Sequence, residues 1–154
     1  MTSSRAAVGS GGLPPTGQRR RLPLAGLPKP VARARALTSQ ALADWYGLAD
    51  GPQGEPGIAG DVVLLVAELV SNALLHGGGP VELVLDATAD RLRIEVSDRT
   101  STLPTPHRPH HPALPGGHGL YIVERAADRW GAQPQPTGKT IWAEVEAKRL
   151  RTGS

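Results

Sequence analysis

The chain has 154 residues, no cysteine and no phenylalanine, and 17 lysines and arginines against 14 acids for a net charge of +3. That length supports one domain with a real core and hardly two, and the missing thiols exclude disulfides, cysteine nucleophiles and cysteine-based zinc sites. Aromatics at 3% are too scarce for stacking platforms on single-stranded nucleic acid, and no uninterrupted apolar run approaches the ~20 residues of a membrane span.

Charge is unevenly placed. Residues 1–43 carry seven basic residues (Arg5, Arg19, Arg20, Arg21, Lys29, Arg33, Arg35) and no acid, so everything after them is net −4. A basic arm of this kind could touch nucleic acid or an acidic partner, or be a solvated tail. Residues 1–27 are rich in Gly, Pro, Ser and Arg without sustained periodicity, and read as a disordered basic tail. Pro and Gly interrupt every apolar stretch before Val31, leaving no secretory h-region. The expectation is a soluble, cytoplasmic protein.

From Pro30 the pattern changes. VARARALTSQALADWYG places Val31, Ala34, Leu37, Ala41, Leu42 and Trp45 on one side, with Pro30 in the first turn and Gly47 at the end, which predicts an amphipathic helix. Residues 49–60 hold four glycines and two prolines and read as a loop. In DVVLLVAELVSNALLHGGG, Val62, Val63, Leu65, Val66, Leu69, Val70, Ala73 and Leu74 give a broad apolar face. Asp61 suits the N-cap of this central helix and Gly77–Gly79 its end. Glu68, Asn72 and His76, four residues apart, share one polar stripe on it.

Pro80–Thr88 alternates Val81, Leu83 and Leu85 with Glu82, Val84 and Asp86. Arg91–Asp98 alternates Leu92, Ile94 and Val96 with Arg91, Arg93 and Glu95. The two read as an antiparallel hairpin turning at Ala89–Asp90. Residues 99–117 contain Pro104, Pro106, Pro109, Pro112 and Pro115 with His107, His110 and His111 between them, and read as a lid or an insert. GGHGLYIVERAADRWG resumes a helix with Leu120, Val123, Ala127 and Trp130 on its buried side and Gly131 as its cap. Lys139–Ala147 is a third strand, with Ile141, Ala143 and Val145 on one face, followed by a basic tail over residues 149–154. Another edge strand could join just after the N-terminal tail. The order predicts an α+β two-layer sandwich over residues 28–148, its mostly antiparallel sheet covered on one face by helices.

Several polar groups fall at the ends of these elements. The Glu68–Asn72 stripe is either a solvated edge or a site where Asn72 offers its carbonyl oxygen to Mg²⁺ and Glu68 orients or deprotonates a hydroxyl. Asp98 at a strand end could accept a hydrogen bond from the exocyclic amine of adenine. Gly116, Gly117 and Gly119 precede a helix N-terminus, where backbone N–H groups and the dipole favour an anion. Thr140 opens the last strand and could bond a base or Asp98. His107, His110, His111 and His118 could in principle hold Zn²⁺ or Ni²⁺, but no scaffold or paired carboxylate accompanies them.

In that order, ELVSNALLH, GGHGLYIVERAADRWG and GKTIWAEV resemble the N box, the G2 box and the closing strand of the GHKL ATPase superfamily. The resemblance spans Pro30 to Ala147 and is nearest to the small stand-alone anti-sigma-factor serine/threonine kinases and related ATP-binding regulators. It implies the Bergerat ATP-binding fold, with ATP and Mg²⁺ as cofactors. It also implies Asn72 as the Mg²⁺ ligand, Glu68 as the catalytic base or its polariser, and Asp98 as the reader of the adenine amine. Gly117, His118, Gly119 and Leu120 would lie at the phosphates, Thr140 would complete the adenine pocket, and His76 would close its helix. The implied partner is a protein, an anti-sigma-factor antagonist or a sigma factor, with no direct nucleic acid or membrane contact, and the related kinases are often homodimers. One departure stands out: the family's D-x-G-x-G pattern is replaced by Asp98-Arg99-Thr100-Ser101-Thr102, which predicts a looser adenine side. A non-catalytic partner-binding module with weak or no nucleotide binding is the alternative, and a bare ATP hydrolase a third.

Overall fold

The computed structural model of the protein describes residues 12–48, 57–100 and 117–152. The first helix, α1, runs Pro30–Tyr46, with Lys29 in the left-handed region (φ 52°) just before it and Gly47 (φ 69°) closing it. Ala34, Ala41, Leu42 and Trp45 face the core, as their spacing predicts, and Thr38 is buried among them. The Thr38 hydroxyl donates to the Ala34 carbonyl at 2.8 Å, so this buried polar group is satisfied one turn back. At the end of α1 the Tyr46 hydroxyl is buried and has no hydrogen-bond partner among the described residues.

The central helix, α2, spans Ile58–His76. It begins a turn earlier than the expected Asp61 cap, with Gly57 before it, and Asp61 falls in the first turn, where a carboxylate meets the positive helix end. Ten of its residues are buried, including Leu65, Val66, Leu69 and Val70. An 18-residue stretch of it reaches a mean hydropathy of 1.9, enough by length and composition to cross a bilayer, although Asp61 and Glu68 interrupt its apolar run. Here it is the core helix against which α1, the sheet and α3 (Gly117–Ala126) pack.

The sheet has five strands among the described residues: β1 (Gln18–Pro23), β2 (Pro80–Ala87), β3 (Arg91–Asp98), β4 (Arg129–Gln135) and β5 (Gly138–Glu146). Their order is β1-β2-β3-β5-β4, and every neighbouring pair is antiparallel. Leu83, Leu85, Ala87, Leu92, Ile94, Val96, Ile141, Ala143 and Val145 alternate toward the helices and are all buried. The other face carries charge. Arg93 lies 4.4 Å from the centre of the Trp142 ring and pairs with Glu95 (2.7 Å) and Glu144 (2.8 Å), and Glu144 also takes Arg129 at 3.0 Å. The architecture is the expected α+β sandwich, helices on one face of an antiparallel sheet.

Three expectations change. Residues 18–23 lie within the stretch expected to be disordered, yet they form edge strand β1 beside β2. Its arginines are tied to the domain: Arg20 pairs with Asp44 at 2.7 Å and sits 4.9 Å over the Trp45 ring, Arg21 pairs with Glu82, and Arg19 with Asp86. The Trp45 indole N–H donates to the Gln18 side chain. Second, the helix expected to run to Gly131 ends at Ala126, and Trp130 and Gly131 belong to β4. There a Cβ on Gly131 would lie 2.8 Å from the Trp142 ring, so the bare glycine is what lets that indole lie across the strand. Third, the C-terminal tail folds as a short helix, α4 (Ala147–Thr152), with Leu150 fully buried.

Candidate functional site

The polar stripe of α2 emerges at the margin of the core. Glu68 and Asn72 are half-buried and His76, the last helical residue, is exposed, while Leu65, Leu69 and Ala73 beside them are buried. The helix then stops against the end of β3. Arg99 N–H donates to the Gly77 carbonyl at 2.9 Å, and a Cβ on Gly77 would lie 2.5 Å from Asp98 Oδ2. Gly77 has an ordinary φ of −105°, so glycine is needed here for space. The last turns of α2 and the Asp98 carboxylate are thereby brought to one end of the molecule.

Asp98 is only 5% exposed. A buried carboxylate needs partners, and it has two: the Lys139 ammonium, at 2.8 Å from Oδ2 and 3.1 Å from Oδ1, and the Thr100 N–H, at 3.1 Å from Oδ1. Thr100 stands where the family pattern has glycine. Its backbone N–H, which a glycine would offer equally, donates to the carboxylate. Lys139 is as deeply buried as Asp98, at 4%.

Thr140 is not brought to Asp98. Residues facing each other across β3 and β5 are Ser97 with Thr140 and Asp98 with Lys139. Successive strand residues point to opposite faces, so Thr140 lies on the charged face, its hydroxyl 3.0 Å from that of Ser97. The residue that joins Asp98 is Lys139, which the sequence reading passed over. A signal was present: in KTIWAEVEA, Lys139 is two residues before Ile141 and four before Ala143, in register with the buried face.

Helix α3 begins at Gly117, so Gly117, His118, Gly119 and Leu120 form its first turn instead of preceding it. That turn holds no acidic residue, and a helix N-terminus favours an anion. Asp61 and Leu64 of α2 line a small cleft with Ile122, Arg125 and Ala126 of α3. This cleft is at the N-terminal half of α2, away from Asp98. Gly116, most of the expected lid over residues 99–117, and His107, His110 and His111 lie outside the described residues.

The donor set fits a nucleotide with its cation in kind. Asn72 and Glu68 offer hard oxygen ligands from one helix face, Asp98 offers a buried acceptor in a cradle that a Cβ on Gly77 would fill, and α3 offers an N-terminus with no acidic residue in its first turn.

Residues 25–145 match the histidine kinase-like ATPase domain, and the chain belongs to that family. Among solved structures, the histidine kinase domain of the blue-light activated histidine kinase from Erythrobacter litoralis EL346 is similar at 19% identity, with a TM-score of 0.46. That similarity covers 93% of this chain and 74% of the other. No curated protein matches the chain.

Proposed function

We propose that this protein is a cytoplasmic, ATP- and Mg²⁺-binding regulator that acts as a serine/threonine kinase of the anti-sigma-factor type, its substrate a protein antagonist of that factor. The observation that carries the reading is the Glu68–Asn72 pair, one turn apart and half-buried on the central helix, with buried Leu65, Leu69 and Ala73 along one side of it. Bound Mg·ATP would supply the phosphoryl group and the charge that offsets its oxygens. Asn72 would hold the cation through its amide oxygen. Glu68 would accept the proton of the substrate's Ser or Thr hydroxyl. Asp98 would accept a hydrogen bond from the base, and the N–H groups of the first turn of α3 would hold phosphate.

A second reading, a partner-binding module with weak or no nucleotide binding, is favoured by one observation: both oxygens of Asp98 are already bonded to Lys139. Calorimetric titration with ATP and Mg²⁺ separates the two. Saturable, Mg²⁺-dependent binding that Asn72→Ala abolishes is expected, and silence at millimolar ATP would leave the binding module. Once a protein substrate is in hand, Glu68→Ala should lose phosphoryl transfer by about 10²-fold or more, the scale of a general base, while keeping ATP affinity within a few-fold.

A further inference from the structure

The buried pair of Asp98 and Lys139 is a chemical unit that a carboxylate alone is not. A carboxylate only accepts hydrogen bonds, whereas an ammonium only donates them. Adenine presents an amine donor at position 6 beside the N1 acceptor, and guanine presents the reverse, the O6 acceptor beside the N1–H donor. A lone Asp therefore welcomes the adenine amine and repels guanine O6. Here any base that reaches Asp98 also reaches Lys139, because Nζ is within 3.1 Å of both carboxylate oxygens. The ammonium has three N–H groups, and its bonds among the described residues all go to Asp98.

We propose that Lys139 is a specificity-determining residue that reads the purine edge together with Asp98 and lets the site accept guanine as well as adenine nucleotides. Adenine would give its amine to Asp98 and take a hydrogen bond from Lys139 at N1. Guanine would take one from Lys139 at O6 and give its N1–H to Asp98. The flexible four-carbon stem of lysine lets Nζ lie toward either carboxylate oxygen, which is the freedom the two registers need. This inference rests on the nucleotide-site reading above. The competing role for Lys139, neutralising a buried carboxylate and nothing more, makes no prediction about base preference.

The test is competition of Mg·ATP, Mg·GTP and Mg·CTP against a fluorescent ATP analogue on the full chain. ATP and GTP are expected to compete within about threefold of each other, well under the tenfold that one good charged hydrogen bond commands. Lys139→Thr should then favour ATP by about tenfold or more, through loss of GTP, and Lys139→Arg should restore the wild-type ratio. A wild-type preference for ATP of tenfold or more would overturn the inference while leaving the nucleotide site standing. A ratio unmoved by Lys139→Thr in a folded variant would do the same. If no nucleotide binds at millimolar concentration, the nucleotide reading itself fails and the inference with it. Should Lys139→Thr not fold, because it strands the Asp98 carboxylate, the wild-type ratio alone decides.

Discussion

Gly77 is where α2 and β3 nearly touch, and a single methyl tests that contact. In Gly77→Ala the new Cβ would meet Asp98 Oδ2 at 2.5 Å and the Ala73 Cα at 2.9 Å. Neither neighbour can swing away, since Ala73 is helix backbone and Asp98 is held by Lys139 and Thr100. The variant should lose about 2 kcal/mol in urea unfolding, the scale of overpacking. Tyr46 makes the opposite case. Its buried hydroxyl lacks a partner among the described residues, and burial pushes the phenol up to about 12, with the Arg151 and Arg91 charges offsetting only part. A neutral phenol favoured by the fold stabilises fully below its ordinary value of 10, and that contribution is lost as pH rises through about 12. Tyr46→Phe should remove this alkaline loss and the late tyrosine ionisation in ultraviolet titration. At neutral pH it should gain about 1 kcal/mol, because no unpaired oxygen stays buried.

Among the strands, those with two partners were legible in the sequence and those with one were not. Helices α1 and α2 and the β2–β3 hairpin bury a face each, and burial writes a period into the chain. Strand β1, QRRRLP, is an edge: its stability comes from pairing with β2 and from arginines reaching Asp44, Glu82 and Asp86, none of which leaves an apolar alternation. Strand β4, RWGAQPQ, hides behind a Gly and a Pro that an edge tolerates. The candidate site divides the same way. The stripe on α2 and Asp98 follow from periodicity, and so does the buried face of Lys139, whereas its position directly opposite Asp98 depends on cross-strand register, which only pairing sets. Helix α4 was missed because six residues are too few to show a period, yet its Leu150 is fully buried. Leu150→Ala should cost about 2–4 kcal/mol by thermal or urea unfolding, a value no solvated tail would return.

At the scale of the whole molecule, stability should respond to acid through its ion pairs. Asp44 is held below its ordinary 3.8 by hydrogen bonds from Arg20 and Gln40. Burial pushes Glu144 and Asp128 upward, but Arg93 and Arg129 around the first, and the Glu146 N–H with Arg149 around the second, outweigh it and hold both low. Carboxylates depressed in the fold contribute stability that is present above their unfolded values and lost as pH falls through the folded ones. Unfolding free energy should therefore be nearly flat from pH 7 to about 5 and decline below about 4, where unfolded carboxylates take up protons first. Asp44→Asn combined with Glu144→Gln should flatten that decline. A slope unchanged by both would assign the acid sensitivity to other groups.

The buried couple of Asp98 and Lys139 also bears on how such a chain can change over generations. Losing either partner alone strands a charge in the interior, a penalty of about 3–5 kcal/mol set against a total that is commonly about 5–15 kcal/mol. Exchanging both at once for neutral residues of similar size carries no such penalty. The two positions, 41 residues apart in the chain, should therefore be inherited as one character. A library randomised at both and sorted for folding should return matched pairs and few single replacements.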